Sequence, residues 1–230
     1  MAVVLSVNVN KIALLRNSRP GSNPDPVAFA RRALQLGAGG ITVHPRPDQR
    51  HIRHEDVTAL SQLRAEFPSS EFNIEGNPFA VPRAGYLGLL ELVRLCQPDQ
   101  CTLVPDSDRQ LTSDHGFDLT GDHNELTRLI GECHTAGARV SLFMDADCAQ
   151  IERVPDTGAD RIELYTGPYA EAYEKGTAEP HWREHCAAAE KAASLNLKVN
   201  AGHDLNLHNL VQYARLPHLQ EVSIGHAYTI

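Results

Sequence analysis

Short apolar runs rich in β-branched residues alternate along this chain with longer stretches whose apolar positions recur at helical spacing. The clearest unit occurs three times: a helical stretch closes at Gly-Ala and an apolar run follows at once. Gly37-Ala38 leads into Ile41-Thr42-Val43, Gly137-Ala138 into Val140-Ser141-Leu142-Phe143, and Gly158-Ala159 into Ile162-Glu163-Leu164. Glycine tolerates the left-handed backbone that ends a helix, so each unit reads as helix, tight turn and buried strand. Extending the pattern predicts strands near residues 3–8, 40–44, 71–75, 101–104, 139–144, 160–165, 197–201 and 221–225. Helices are predicted near 25–37, 54–66, 82–95, 123–137, 147–157, 180–195 and 206–215. Alternation of this kind implies an α/β fold with a parallel sheet under helices, and eight strands close a (β/α)8 TIM barrel. A single barrel domain over residues 1–230 is the expectation. An open doubly wound sheet would alternate in the same way, but neither G-x-G-x-x-G nor G-x-x-x-x-G-K-[ST] follows any predicted strand. The last strand runs into Gly225-His226 and the sequence stops at Ile230, so a closing eighth helix is expected to be missing from the chain as given.

Composition narrows the picture. With 230 residues, 42% of them hydrophobic, the chain can bury one large core. A formal charge of −8 and a pI near 5.8 argue against nucleic acid or a membrane surface as partner, since either calls for a basic face. An anionic ligand would therefore have to meet a local positive pocket. The N-terminal MAVVLSVNVNK has no basic leader and no small-residue cleavage site, which points to a cytoplasmic protein. Cys96, Cys101, Cys133, Cys148 and Cys186 form no C-x-x-C pair and read as reduced packing thiols.

In a barrel, chemistry gathers where strands end and loops begin. The predicted ends carry Asn8-Val9-Asn10-Lys11, His44-Pro45-Arg46, Asn73-Ile74-Glu75, Glu163 with Tyr165-Thr166-Gly167, Asn200-Ala201-Gly202-His203 and Gly225-His226. Histidines and carboxylates on one rim can pass protons near neutral pH. The same residue types could instead bind a metal. A close His-x-His pair is the usual cue for that, and here the second position is Arg46, whose guanidinium suits phosphate. Arg46, His51 and Arg19, with backbone N–H groups near Gly202 and Gly225, form a candidate phosphate clamp. Residues Arg46, Arg50 and Arg53 equally fit a solvated basic run. The loop Asp106 to Gly116, with Thr112 and Ser113 near its centre, is long and polar enough to be a lid.

Several ordered motifs together resemble the pyridoxine 5′-phosphate synthase family. They are S-V-N-V-N-K-I-A-L-L-R-N-S-R at 6–19, G-I-T-V-H-P-R-P-D-Q-R-H at 40–51, F-N-I-E at 72–75, V-P-D-S-D-R-Q-L-T-S-D-H-G-F-D at 104–118, V-S-L-F-M-D-A-D at 140–147, I-E-L-Y-T-G-P-Y-A at 162–170, V-N-A-G-H-D-L at 199–205 and S-I-G-H-A at 223–227. The resemblance implies a transferase of vitamin B6 biosynthesis. It would condense 3-amino-2-oxopropyl phosphate with 1-deoxy-D-xylulose 5-phosphate, releasing phosphate and water, with no cofactor and no metal. By position, it implies that His44, Glu75 and His203 do the acid–base work and that Glu163 stabilises a transition state. It places the aminoketone phosphate on Asn8, Arg19, the backbone of Asp204, Gly225 and His226, and the sugar phosphate on Arg46, His51 and Thr112. It also implies a homo-oligomer, commonly an octamer. The chain departs from the family pattern at Asn10-Lys11, where Asp-His is common, and at Asp204, where Gly is common. Asn10 and Lys11 are still expected to face the sugar substrate. Two other readings stay open: a phosphosugar-binding paralogue with altered or lost activity, and a metal-dependent barrel hydrolase or lyase.

Overall fold

The computed structural model describes residues 2–228. Eight strands, β1 Val4–Asn8, β2 Gly40–Val43, β3 Glu71–Gly76, β4 Gln100–Leu103, β5 Arg139–Met144, β6 Arg161–Tyr165, β7 Lys198–Gly202 and β8 Leu219–Ile224, close in sequence order into a parallel barrel. Every neighbouring pair is parallel, and β8 returns to β1 through Val4↔Glu221 and Leu5↔Val222. All eight predicted strands are present, each within about two residues of its expected bounds.

The strands obey a strict period of two. Outward residues such as Ile41, Val43, Phe72, Ile74, Cys101, Leu103, Val140, Leu142, Ile162, Leu164, Val199 and Val222 are buried under the helices and form the hydrophobic core. Inward residues are mostly polar, Phe143 being an exception. Ser6 and Thr42 hydroxyls lie 2.7 Å apart, Asn73 donates to Thr42 Oγ1 at 3.3 Å, and Thr102 donates to Asn73 Oδ1 at 3.2 Å. One layer below, Gln100 and Asn200 surround the buried carboxyl of Glu221. A barrel lumen is more often filled with Val, Ile and Leu. Here many of its hydrogen-bonding groups satisfy one another, which offsets the cost of burying them, while Ser141 Oγ, Arg161 Nε and Glu163 Oε2 are left without a partner among the described residues.

The helices are α1 Asn10–Asn17, α2 Pro26–Gln35, α3 His54–Ser61, α4 Leu63–Glu66, α5 Leu89–Cys96, α6 Asn124–Thr135, α7 Cys148–Ile151, α8 Val154–Thr157, α9 Gly167–Glu174, α10 Glu179–Ser194 and α11 Leu210–Tyr213. Two were not expected. Both α1 and α9 follow their strands with a single cap residue between, Val9 and Thr166, and nothing in so short a handover marks a break. The helix expected from 82 begins only at Leu89, because Gly85 and Gly88 at φ 78° and 89° hold the preceding segment as a loop. The one expected over 147–157 breaks ahead of Pro155, which has no N–H to carry a helix through. The 54–66 helix is likewise divided at Gln62, and the 206–215 helix shrinks to Leu210–Tyr213. After β8 a 3-10 turn spans His226–Tyr228. Among these residues no helix is long and apolar enough to cross a membrane.

Candidate active site

At the C-terminal mouth of the barrel lies a cavity of about 310 Å³, the size of a small-ligand pocket. Asn8, Asn10 and Lys11 line it from the β1–α1 junction, His44, Arg46, Arg50 and His51 from the loop after β2, and Glu75 from β3. Thr112 and Ser113 come from the loop after β4, Glu163 from β6, His203 and Asp204 from beyond β7, and Ser223, Gly225 and His226 from β8 and its end. Leu14, Val104, Leu111 and Phe143 supply the apolar wall. Arg19 is not among them. It lies just past the end of α1, at an exposed position.

His44 stands between two acids. Its Nδ1 is 3.8 Å from Glu75 Oε2 and its Nε2 is 3.2 Å from Asp106 Oδ2. Asn10 fixes the backbone at that point, since its Oδ1 accepts the His44 N–H at 2.9 Å. Glu75 is 7% exposed. Its carboxylate accepts from Asn8 Nδ2 and from Ser223 Oγ, both at 3.4 Å. Burial raises its pKa, and the attraction of His44 and His203 only partly opposes the rise. Such a carboxyl can hold or release a proton under conditions where an ordinary one is always ionised.

Glu163 is more extreme. Burial, and then the nearby carboxyls of Glu75 and Glu221, push its pKa well up, so it stands as a neutral acid. Its Oε2 is buried with no hydrogen-bond partner among the described residues, an arrangement suited to a group awaiting a ligand. Gly202 is required beside it, because a Cβ there would run into Glu163 Oε1. Gly225 is required for a similar reason, since a Cβ would sit 2.8 Å from the Asn8 carbonyl oxygen where β8 and β1 approach.

The loop after β4 closes over this floor. Arg46 is 4% exposed and its guanidinium is paired with Asp106, while Nη1 donates to the carbonyls of Gln110 at 3.0 Å and Ser107 at 3.4 Å. Arg50 donates to Gln110, Leu111 and Asp108 carbonyls at 2.9, 3.0 and 3.1 Å. Both arginines thus hold the lid. Arg50 is tied into this structure and is not part of a solvated run. Asp106 joins the system together through His44, Arg46 and Ser113, whose Oγ donates to it at 3.3 Å. Burial alone would raise the Asp106 pKa, but the attraction of His44 and Arg46 outweighs it and holds the carboxyl below its usual range. The sequence reading missed Asp106, although it stands at the end of β4 where the strand-end rule points. His51 Nδ1 accepts the Ile52 N–H at 2.9 Å. Burial, then the adjacent His44, Arg46 and Arg50, push its pKa down to about 3, so the ring is neutral and offers Nε2–H.

On the far side, His203 Nε2 meets Thr112 Oγ1 at 2.6 Å and Nδ1 meets Asp204 Oδ2 at 2.8 Å. The edge of its ring packs against Tyr165, with centroids 5.3 Å apart. Among the described residues no group of three or more His, Cys, Asp or Glu is arranged to hold a metal ion. The expected acid–base residues His44, Glu75 and His203 and the expected transition-state stabiliser Glu163 all reach this one cavity, as do all the expected binding residues except Arg19.

A closed parallel barrel with proton-carrying side chains gathered at the C-terminal ends of its strands defines a (β/α)8-barrel enzyme. In shape it is similar to the solved tryptophan synthase α-subunit of Pyrococcus furiosus, with a TM-score of 0.63 over 98% of this chain and 87% of that one; at 12% identity this likeness concerns the fold alone. The chain belongs to the pyridoxal phosphate biosynthesis protein PdxJ family, whose model matches residues 5–229. It is 58% identical over 228 residues to the pyridoxine 5′-phosphate synthase of Xanthomonas campestris pv. campestris, covering 99% of this chain and 89% of the relative. The pyridoxine 5′-phosphate synthase of Xylella fastidiosa is 55% identical over 225 residues, with 97% and 86% covered.

Proposed function

We propose that this chain is a pyridoxine 5′-phosphate synthase that condenses 3-amino-2-oxopropyl phosphate with 1-deoxy-D-xylulose 5-phosphate in the cavity at the barrel mouth. The observation that carries the assignment is the meeting of His44, Glu75 and His203 around a single cavity lined with cations. Forming a pyridine ring from an aminoketone and a ketose requires repeated proton transfers, and each needs a donor or acceptor within reach. Glu75 takes and returns protons at the floor, with His44 beside it as its proton partner. His203 serves the opposite wall. Glu163, as a neutral acid, donates a hydrogen bond to oxygen as it gains charge. Arg46, Arg50, His51 and Thr112 hold one phosphate on the lid side; Lys11, Asn8 and the backbone at Gly225 and His226 hold the other. For Arg46 and Arg50 this means exchanging lid carbonyls for phosphate oxygens. A closed lid keeps water from the imine formed between the two substrates. The protein works in the cytoplasm as a homo-oligomer.

The test is direct. Purified protein given both substrates is expected to release inorganic phosphate and form a pyridine chromophore, while His203→Gln does neither and keeps its circular dichroism spectrum. Absence of product from the wild-type chain at saturating substrates would overturn the assignment.

A further inference from the structure

Two consecutive residues at the end of β7, His203 and Asp204, have backbone φ angles of 92° and 55°. Left-handed backbone is disfavoured for any residue with a Cβ and persists only where surrounding contacts enforce it. Those contacts are present. Thr166 Oγ1 donates to the carbonyls of Gly202 and His203, and the fully buried Asn209 donates through Nδ2 to the Asp204 carbonyl at 3.1 Å. Tyr169 in turn donates to the Asn209 carbonyl at 3.1 Å, tying the turn to the packed aromatic side chains of α9 and α11. This scaffold sets the Asp204 carboxylate onto His203 Nδ1 at 2.8 Å.

A carboxylate can only accept, so Nδ1 must carry the proton and the lone pair of the neutral ring must lie on Nε2. Thr112 meets Nε2 at 2.6 Å, which fits a threonine hydroxyl donating to that lone pair. The carboxylate also brings a negative charge into a basin meant for anions. Lys11 from α1 and His226 from beyond β8 both act on it electrostatically and favour its ionised form. Glu75 from β3 and Tyr165 from β6 also face the pair, the first toward His203 and the second toward Asp204.

We infer that Asp204 is a positioning residue that locks His203 in the Nδ1-protonated form, presenting Nε2 to substrate as the proton acceptor, with Lys11 balancing its charge. The inference rests on the proposed proton-transfer role of His203. Lys11 and Asp204 then form one compensated pair: the cation at residue 11 makes the carboxylate at 204 tolerable in an anion site.

Long-range 1H–15N spectra of the full chain labelled with 15N-histidine report the tautomer, with the His203 signals identified by their loss in His203→Gln. The wild-type ring is expected to carry its proton on Nδ1. Asp204→Gly suits the left-handed backbone and should fold; it is expected to mix the tautomers and lower kcat about 10- to 100-fold while KM stays within about threefold. Asp204→Asn keeps an acceptor for Nδ1–H and is expected to restore the tautomer and part of kcat. A wild-type His203 protonated on Nε2, or an Asp204→Gly enzyme with unchanged kcat, overturns the inference. Lys11→Gln is expected to raise KM more in the native background than in Asp204→Gly, and equal effects sink the charge pairing. Full turnover in His203→Gln would instead overturn the underlying role of the histidine, whereas the tautomer spectrum still reads the contact with Asp204.

Discussion

At the scale of single residues, burial divides the acids by function. Glu75 and Asp106 lie on either side of the His44 ring, and their pKa values move in opposite directions. Both pay the same kind of desolvation penalty, but Asp106 faces a guanidinium and a histidine while Glu75 has only imidazoles and weak donors near it. Asp106 therefore stays ionised as an anchor, and Glu75 becomes the group whose proton can come and go. Glu75→Gln removes that proton carrier without changing the shape of the side chain. It is expected to lower kcat by about 10²- to 10⁴-fold. The urea midpoint at pH 8 should hold or rise, because a carboxyl that resists ionisation is replaced by a neutral amide. Wild-type kcat in this variant would remove Glu75 from the mechanism. The strand-end rule, applied to the sequence, finds Glu75, His44 and His203. It does not separate their roles, since the difference lies in neighbours far apart in the chain, 91 positions between Thr112 and His203 and 148 between Glu75 and Ser223.

At the scale of elements, the loop after β4 is held by two arginines in different surroundings. Arg46 is paired with Asp106 in the interior, whereas Arg50 reaches the lid carbonyls from a position where its side chain is 22% exposed. Breaking a buried pair strands a charge, so Asp106→Asn is expected to destabilise the fold by about 3–5 kcal/mol in urea titration. Arg50→Ala should cost about 1 kcal/mol or less. Its effect is expected in the lid: faster proteolysis within residues 107–113 and a several-fold rise in KM. Unchanged proteolysis there would show that Arg50 is no latch. The sequence marked this loop as a lid by its length and polarity. It did not show that Arg46 and Arg50 are the residues holding it, because their spacing alone fits a solvated basic run equally well. Nor did it show α1, whose eight residues separate Asn8 at the cavity from Arg19 at an exposed position.

At the scale of the whole molecule, the polar lumen makes stability depend on pH. Glu221 lies deep in the barrel, and burial raises its pKa to about 7, with Arg161 and Arg139 opposing and Glu71 adding to the rise. Between an unfolded value near 4.5 and about 7 the folded chain holds a proton that the unfolded chain has released. Its contribution to stability is full below the unfolded value and is lost as pH rises through about 7. Glu221→Gln is expected to flatten that slope, with little change at pH 4 and a gain of up to about 3 kcal/mol at pH 8 by urea unfolding. An unchanged slope would show that Glu221 does not titrate in this range. The sequence by itself determined the eight-strand alternation, the barrel class and the rim from which the chemistry comes, because strand and helix periods are written in neighbouring residues. Only the tertiary structure decided which rim groups touch. Asp106 behind His44, Asp204 on His203 and the orphaned Glu163 oxygen all depend on barrel closure and on the paths of the loops. Those set distances between residues far apart in the chain, and no local pattern encodes them.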